Sequence, residues 1–381
     1  MATIPNVVGP SWPARSRNQD LERTINLYPE IPDGGATPKN AQGALYGTAG
    51  LAPFATLSAG PVRGIFAQDG RVWAVGGNFL CEIFASGNVS AYPLDLAVDD
   101  NPVTFSSNGT AGNQILITSG GLLYILDLTT NTLSHISSVN FLTPARMGVF
   151  LDDYFIVMKG DSRQLFLSAL LDGTSWDILD VFEVSKFSDN VQAIAVSHEV
   201  LWVFGSQHSL PYVDTGDSNI PFQPMPQTLV EHGVLSPFSV VQLDNTLYYQ
   251  AQDAQGAMQV VKLNGYTPQI ISTFGMQTYM ETALTGANVI GWTWQESGHA
   301  FYQMYFPTLP TSPVFDVSTG LWHERALWDP TIRFWRPHVG RCHAYGFGLH
   351  LVGDRQSATV YRQSLNQLQD LLIVNAGTVA A

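Results

Sequence analysis

The sequence predicts an all-β fold, a β-propeller of about seven four-stranded blades preceded by an extended N-terminal arm. The first observation behind this prediction is composition, because 34 Gly and 22 Pro accompany 11% aromatic and only 13% charged residues. Such a chain is rich in turns and tightly packed. The second observation is a hairpin pattern that recurs along the chain. The third is that the recurring strands are apolar on both faces.

The recurring unit is an apolar strand, a tight turn and a second apolar strand. Successive copies start between 40 and 53 residues apart. A period in the forties with short strands and Gly, Asn or Asp turns is typical of propeller blades. We count seven units, with six and eight as alternatives because the sixth unit is irregular. The hairpins begin at Arg71, Gln114, Tyr154, Val200, Thr246, His299 and Gly348.

The strands of these hairpins carry apolar side chains on both of their alternating faces. Examples are "RVWAV" (Arg71–Val75) and "VLWVF" (Val200–Phe204). A sheet with one solvated face would alternate apolar and polar residues. Stacked blades bury both faces of their central strands, whereas a sandwich leaves its outer faces wet. The pattern therefore favours a propeller.

The segment before the first blade, "ALYGTAGLAPFATL" (residues 44–57), offers a way to close the ring. It can supply an outer strand to the last blade, and closure matters because an open ring would leave two exposed β edges. We therefore divide the chain into an N-terminal arm and docking strand (1–43), the propeller (44–365) and a C-terminal tail (366–381).

The net charge and its distribution along the chain limit the kinds of partner that the protein can bind. The formal net charge of −14 argues against a surface that wraps nucleic acid as its main task. Lys262 is the only lysine or arginine between Phe187 and Glu324, while six arginines lie from Arg325 to Arg362. An acidic middle and an arginine-rich end suggest two surfaces with different or complementary partners. Solvated surface arginines explain the same pattern without any partner.

The N-terminus lacks the basic and apolar regions of a signal peptide, and no apolar run of about 18 residues predicts a membrane span. Cys81 and Cys342 lie far apart without a CxxC pattern, so we expect two small buried residues and no disulfide framework. Together these features predict synthesis and folding in a cytoplasm.

Two turn motifs resemble enzyme signatures. Asp214-Thr215-Gly216 is the tripeptide of aspartic proteases, but such an enzyme needs two facing aspartates and a second copy is absent. Asp172-Gly173 resembles the Asp-box of sialidases but lacks the residue between Asp and Gly, and the middle of the chain lacks the arginines that a sialidase needs. We interpret both motifs as turns.

One stretch near the C-terminus concentrates possible metal ligands, namely His338, Cys342, His343 and His350. Zinc sites use compact pairs such as CxxC or HxxxH. His343 would point to the opposite face of a strand from Cys342. We therefore expect no metal ion, no cofactor and no catalytic residue, and so no enzyme.

Several stretches together resemble the packaged-DNA stabilisation proteins of short-tailed bacteriophages, also called tail accessory, hub or nozzle proteins. They occur in the family's order and are spread across most of the chain, from about residue 9 to residue 275. The stretches are "GPSWPARSRNQDLERTINLYPEI", "ALYGTAGLAPFATL", "GPVRGIFAQDGRVWAVGGN", "LFLSALLDGTSWDILD", "HEVLWVFGS", "LDNTLYYQAQD" and "KLNGYTPQIIST".

The resemblance implies a structural protein of the virion tail that is made in the cytoplasm of the host bacterium. It implies a homo-hexameric ring below the portal–adaptor complex that continues the DNA channel and retains the packaged double-stranded DNA without sequence-specific binding. The ring would carry tailspike or fibre proteins and a needle or plug protein. The resemblance brings no catalytic residues and implies no membrane.

Two other functions remain as alternatives. One is a sialidase-like or other glycan-cleaving propeller enzyme of a tail, which would need a pair of carboxylates about 5–10 Å apart in an open pocket. The other is a propeller that binds a protein partner as a monomer, which would not assemble onto a portal–adaptor complex.

The N-terminal arm and the arginine-rich end contain the candidate contact residues. In "TINLYPE" we expect Ile25, Leu27 and Tyr28 to dock on the propeller, with Pro29 at an edge or strand end. Basic residues are the candidates for contacts between subunits. These are Arg15, Arg17, Arg23, Arg333, Arg336 and Arg341.

Overall fold

The structure, a computed structural model, is all-β and consists of seven blades arranged as a propeller, as the sequence predicts. Each blade is an antiparallel sheet of four strands, extended by one short strand in blades 5 and 6. The residues that the structure describes are 9–13, 22–31, 43–137, 140–217, 220–252, 256–283, 288–374 and 377–380.

The blades are numbered along the chain, and the strands of each are given from the centre outwards. Blade 1 contains Val62–Gln68, Arg71–Gly76, Phe79–Ile83 and Val89–Asp95. Blade 2 contains Thr104–Ser107, Gln114–Ser119, Leu122–Asp127 and Thr132–His135. Blade 3 contains Ala145–Leu151, Tyr154–Lys159, Gln164–Ala169 and Asp172–Glu183. Blade 4 contains Ala193–Ser197, Val200–Phe204, Ser209–Asp214 and Phe222–Pro224.

Blades 5 to 7 complete the ring. In blade 5 the short strands Gly233–Val234 and Val241–Leu243 both pair with Thr246–Gln252, followed by Met258–Asn264 and Thr267–Ile270. Blade 6 contains Ile290–Glu296, His299–Tyr305, Ser312–Asp316, Leu321–Asp329 and Phe334–Pro337. Blade 7 contains Gly340–Gly346, Leu349–Asp354, Thr359–Ser364 and Gly50–Thr56.

Outside the blades, two antiparallel pairs flank the propeller: Leu27–Glu30 with Ala44–Gly47, and Leu371–Val374 with Gly377–Ala380. The strand Ala44–Gly47 thus pairs with the arm, and the first strand to enter a blade begins at Gly50. The helical segments are short. They are Gly109–Gly112, Asn140–Leu142, Pro237–Ser239 and Phe274–Glu281.

The ring is closed by the segment that the sequence suggests. Gly50–Thr56 pairs antiparallel with Thr359–Ser364 and forms the outer strand of blade 7, so the last blade is built from both ends of the propeller. Pro53 is tolerated because an outer strand has one free edge. Closure by the N-terminal strand removes the two open edges that a linear array of blades would expose.

Turn chemistry explains why the first hairpin of each blade forms locally. In six of the seven blades two consecutive residues with positive φ connect the first and second strands, the geometry that favours tight hairpins. Blade 2 uses the helical turn Gly109–Gly112 instead. The six turns are Asp69-Gly70, Asp152-Asp153, His198-Glu199, Asp244-Asn245, Ser297-Gly298 and Phe347-Gly348.

The core lies between neighbouring blades. All five residues of Val200–Phe204 are buried, as are Val72 to Val75, which confirms that both faces of the second strands pack against other blades. The first strands of the blades lie around the centre and line a cavity of about 460 Å³. This volume suits a small molecule, and a DNA duplex cannot pass through it.

Candidate interaction surfaces

The N-terminal arm lies along the outer strand of blade 6. The amide of Ser11 donates to the carbonyl of Trp322 at 2.7 Å, and the amide of Glu324 donates to the carbonyl of Thr24 at 2.9 Å. Asn26 adds a backbone bond to Glu324 and two side-chain bonds to the backbone of Ala326. These bonds satisfy the edge groups of blade 6 with the chain's own arm.

An ion pair between an exposed arginine and a buried carboxylate anchors the arm. Glu324 is fully buried, and its carboxylate accepts from Arg23, from the hydroxyl of Ser11 at 2.9 Å and from Thr311. Burial disfavours the charge of Arg23, but the hydrogen bond and charge of Glu324 outweigh this effect and raise the pKa of Arg23. Arg23 also lies over the ring of Tyr279. It therefore ties the arm to its own chain, and its assignment as a contact with a neighbouring subunit stays a prediction, because the residue remains exposed.

The three predicted docking residues lie in different environments. Tyr28 is 6% exposed, and its ring packs on those of His299 and Phe301 with centroids 5.0 and 5.5 Å away. Ile25 is half-buried and forms a single parallel bridge with Glu324. Leu27 is 37% exposed, so Tyr28 is the apolar anchor of this segment.

The other arginines predicted to contact neighbouring subunits also differ in their surroundings. Arg15 and Arg17 lie outside the described residues. Arg341 is 8% exposed and donates through Nη2 to the carbonyl of Asp100 at 2.5 Å, so it lies at the mouth of the central cavity and not on an outer edge, contrary to its assignment as a subunit contact. Arg333 and Arg336 are exposed at the outer edge of blade 6.

The outer edge of blade 6 carries an exposed apolar hairpin between two arginines. The strand Leu321–Asp329 continues beyond the blade and pairs with Phe334–Pro337. We call Arg333–Arg336 the RFWR segment. Its Phe334 is 57% exposed, while Trp335 packs edge-on against Trp328. Arg336 donates to Asp329 at 2.7 Å, a hydrogen bond that lowers the pKa of that carboxyl.

The outer edge of blade 3 carries an exposed apolar bulge between two carboxylates. The pairing of its outer strand shifts register between Phe166 and Ser168, which leaves residues 177–180 without partners in the ladder. We call Asp177–Asp180 the DILD segment. Its Ile178 and Leu179 are 57% and 80% exposed, and Asp177 accepts from the amide of Leu179 at 2.9 Å, which holds the bulge in shape.

The motifs that resemble enzyme signatures are turns. Asp214 accepts from the amide of Gly216 at 2.7 Å. Asp172 accepts from the amide and hydroxyl of Thr174 at 2.9 and 2.6 Å, and these bonds lower its pKa although partial burial opposes them. Both geometries are those of Asx turns, which stabilise a hairpin locally.

The possible metal ligands of blade 7 are separated by the fold. His338 is buried and accepts from the amide of Gly340 at 3.1 Å through Nδ1. His343 and His350 form their own pair, with Nε2 and Nδ1 3.0 Å apart. Within the described ranges no three His, Cys, Asp or Glu side chains converge in the way that a metal site requires.

Comparison with protein families identifies the chain. The family model Phage_stabilise, described as Bacteriophage P22 Gp10, beta-propeller, matches residues 23–366. The chain belongs to the Phage_stabilise family. This confirms the resemblance found in the sequence, and it makes the chain a structural β-propeller protein of a phage tail.

Solved structures share the propeller with this Phage_stabilise protein. A streptogramin B lyase matches with a TM-score of 0.50 at 12% identity, over 83% of this chain and 98% of its own. The N-terminal domain of Nup159 matches with a TM-score of 0.50 at 10% identity, over 90% and 98% of the two chains. A chain of the mitotic checkpoint complex matches with a TM-score of 0.53 at 12% identity, over 87% and 96%.

At such low identities these similarities show the fold alone. A search among curated proteins finds no match. In the part of the Phage_stabilise chain that the structure describes, no helix has the length and apolar character needed to cross a membrane.

Proposed function

We propose that this chain forms the hub of a phage tail as a closed homo-hexameric ring below the portal–adaptor complex. In this proposal the ring continues the DNA channel, retains the packaged genome and carries the spike or fibre and the needle or plug proteins. Membership of the Phage_stabilise family supports the tail location. The arrangement of the RFWR and DILD segments supports the ring.

The RFWR and DILD segments carry opposite charges, and both present exposed apolar side chains. The RFWR segment presents apolar rings between two arginines, and the DILD segment presents two aliphatic side chains between two aspartates. Exposed apolar patches with a charged rim are typical of protein interaction sites. Opposite charges on the rims would align the two patches and disfavour other pairings.

Their positions suit a head-to-tail contact between copies. Blades 3 and 6 are three places apart in a ring of seven, so the two segments lie on nearly opposite sides of the propeller. Two different patches on one chain form heterologous contacts, and these close into a ring when the rotation between copies allows it. The RFWR segment of each copy would then meet the DILD segment of the next.

DNA would pass through the lumen of the ring, because the centre of each propeller is too narrow. One acidic surface suits this task, with Asp152, Asp153, Glu199 and Asp214 close together between blades 3 and 4. Partial burial and then the charge of Asp214 raise the pKa of Asp152. An acidic wall repels phosphates and lets the duplex slide, whereas a basic wall would hold it.

Charge reversal on blade 6 tests the ring contact. We expect Arg333→Glu with Arg336→Glu to abolish ring formation with the portal–adaptor complex in electron micrographs, because four carboxylates would then face one another across each contact. Arg362→Glu, a reversal at an exposed arginine of blade 7, should leave the ring intact and serves as the control.

A variant with the charges of the two segments exchanged distinguishes the proposed contact from the proposal that a ring forms at all. Adding Asp177→Arg and Asp180→Arg to the blade 6 double variant restores complementarity and should restore the ring. If the blade 6 variant assembles normally, the contact lies elsewhere while the hub proposal stands. If the unmodified chain remains a monomer beside its own portal and adaptor, the hub proposal is wrong and the monomeric binding propeller replaces it.

A further inference from the structure

A second cavity opens at the mouth of the central channel, where the first strands of the blades begin. Its volume is about 290 Å³, and residues from the loops and strands of blades 2, 3, 5, 6 and 7 form its walls. Arg146 of blade 3 and Arg341 and Arg355 of blade 7 line it together with Tyr305 of blade 6. Three guanidinium groups thus converge on one small space in a chain whose net charge is −14.

The most buried of these arginines is incompletely satisfied. Arg341 is 8% exposed, and its Nη2 donates to the backbone carbonyl of Asp100, while its Nε has no hydrogen-bond partner in the ranges that the structure describes. Among the described residues no carboxylate forms an ion pair with Arg341. Burial lowers the pKa of Arg341, and the nearby charges of Asp100 and Asp99 and the backbone carbonyl offset this cost only in part.

The positive charges of the other two arginines, Arg355 and Arg146, are also only weakly offset by their partners. Arg355 donates to the carbonyls of Pro337 and His338 at 3.3 Å and lies over the ring of Tyr305. In the part of the chain that is described it forms no ion pair. Arg146 reaches a carboxylate only at 4.0 Å, in the highly exposed Asp161.

We propose that this cavity binds a small oxyanion, of the carboxylate or phosphate class. Guanidinium groups present planar forks of donors that match the oxygen pairs of these anions. Asp100 lines the same cavity, so the three arginines outnumber its one carboxylate. An anion beside Arg341 would provide an acceptor for Nε and add to the opposite charge that Asp100 and Asp99 already supply. The volume admits a small ligand or one acidic side chain, and it excludes a nucleic-acid backbone.

The anion has two possible sources, a free metabolite-sized ion or the carboxylate of a protein side chain that docks at the channel mouth. The chemistry at the arginines is the same for both. The site does not depend on ring assembly, because all of its residues belong to one propeller.

Calorimetric titration of the full chain with citrate and with inorganic phosphate tests the site. We expect saturable binding with a Kd of about 1 mM or tighter, and a matching rise in Tm as the ligand concentration increases. Arg146→Gln with Arg355→Gln should weaken binding at least about tenfold, since each lost charge-assisted hydrogen bond is worth about 1.5–3 kcal/mol. Arg163→Gln, at a half-buried arginine of blade 3 that pairs with Glu183 outside the cavity, should bind as the unmodified chain does.

The variant Arg341→Gln provides a second test of the site, and its folding is checked before binding is measured. Circular dichroism first establishes that it folds, and titration should then show loss of binding. A peptide with two adjacent glutamates, tested alongside the small anions, distinguishes the sources, and binding of any of the three probes supports the site. Absence of binding for all three, or equal binding by the Arg146/Arg355 variant, overturns the proposal.

Discussion

At the scale of single residues, two histidines are held uncharged inside the propeller. His323 is fully buried between Tyr28 and Phe301, and among the described residues neither of its ring nitrogens has a hydrogen-bond partner. Burial, followed by the charges of Arg325 and His299, lowers the pKa of His323 to about 3. Burial likewise holds the pKa of His338 well below its ordinary value. Both remain neutral at pH values where an exposed histidine takes up a proton.

This difference makes the fold sensitive to acid. As the pH falls below about 6.5, the unfolded chain protonates these histidines and the folded chain does not, so the free energy of unfolding decreases. For His323 alone the loss at pH 5 is about 2 kcal/mol, because one pKa unit corresponds to about 1.4 kcal/mol. The loss grows until the pH approaches the lowered pKa.

Replacing His323 by leucine should remove the part of the acid-induced loss of stability that His323 causes. We expect His323→Leu to be more stable than the unmodified chain by about 2 kcal/mol at pH 5, with a smaller gain at pH 7.5 from the removal of two unpaired buried nitrogens. Urea unfolding at both pH values measures the effect. His135→Leu, at an exposed histidine of blade 2, is the control, and an equal change in both variants would contradict the explanation.

At the scale of elements, the arm and the closing strand hold the seam between blades 6 and 7. Tyr28 shares one apolar cluster with Leu51 of the closing strand and with residues of both blades. Arg325 of blade 6 donates to Gln363 of blade 7 at 2.9 Å and to the carbonyl of Ala49 at 2.6 Å. The N-terminal region therefore binds both sides of the place where the ring is joined.

Two adjacent residues of the arm test this role. We expect Tyr28→Ala to lower the free energy of unfolding by about 3 kcal/mol, because it removes a buried aromatic ring and leaves a cavity at the seam. Leu27→Ala should cost less than about 1 kcal/mol, since that residue is 37% exposed whereas Tyr28 is buried. Chemical unfolding of both variants measures the difference. Similar losses would show that the arm is held by its backbone bonds alone.

The closing strand and the strand before it, Ala44–Gly47, offer a matched pair of glycines. A Cβ at Gly50 would lie 2.5 Å from the carbonyl oxygen of Gln367, whereas a Cβ at Gly47 meets nothing within 4 Å. We expect Gly50→Ala to destabilise the propeller by about 1–3 kcal/mol because it forces the strand away from its neighbours. Gly47→Ala should be neutral within about 0.5 kcal/mol. Thermal unfolding of the two variants provides the comparison.

At the scale of the whole molecule, a closed propeller with two charged apolar edges is a rigid unit suited to assembly. The blades bury their large faces against each other, so exposed apolar side chains at the RFWR and DILD segments are available to other chains. The arm covers the remaining edge of blade 6 within the same chain. Assembly would therefore use these edges without unfolding any part of the ring of blades.

Assembly and folding should respond differently to salt. If the RFWR and DILD segments meet, raising NaCl from about 50 mM to about 500 mM should shift the ring towards monomers, because the Debye length falls well below 10 Å. The Tm of the monomer should change little, since its stability comes mainly from buried apolar packing. Mass photometry and calorimetry follow the two quantities, and a ring that is insensitive to salt would contradict the role of the charged rims.

The sequence by itself determined the class of fold, the position of each blade and the family. The two strands of a hairpin are adjacent in sequence. Strands such as Val200–Phe204 and turns such as Asp69-Gly70 can therefore be recognised from a short stretch of sequence. The closing strand was predictable as well, because a propeller without closure would leave open edges.

Only the tertiary structure decided which charged residues are available to partners. Arg23 and Glu324 are about 300 residues apart in sequence and meet in an ion pair whose carboxylate is buried, and Arg341 turns inward to the carbonyl of Asp100. Nothing in its local sequence distinguishes Arg341 from the exposed Arg333 and Arg336. The physical reason is that burial of a charge depends on partners brought by distant strands, and these partners come together only when the blades stack and the ring closes.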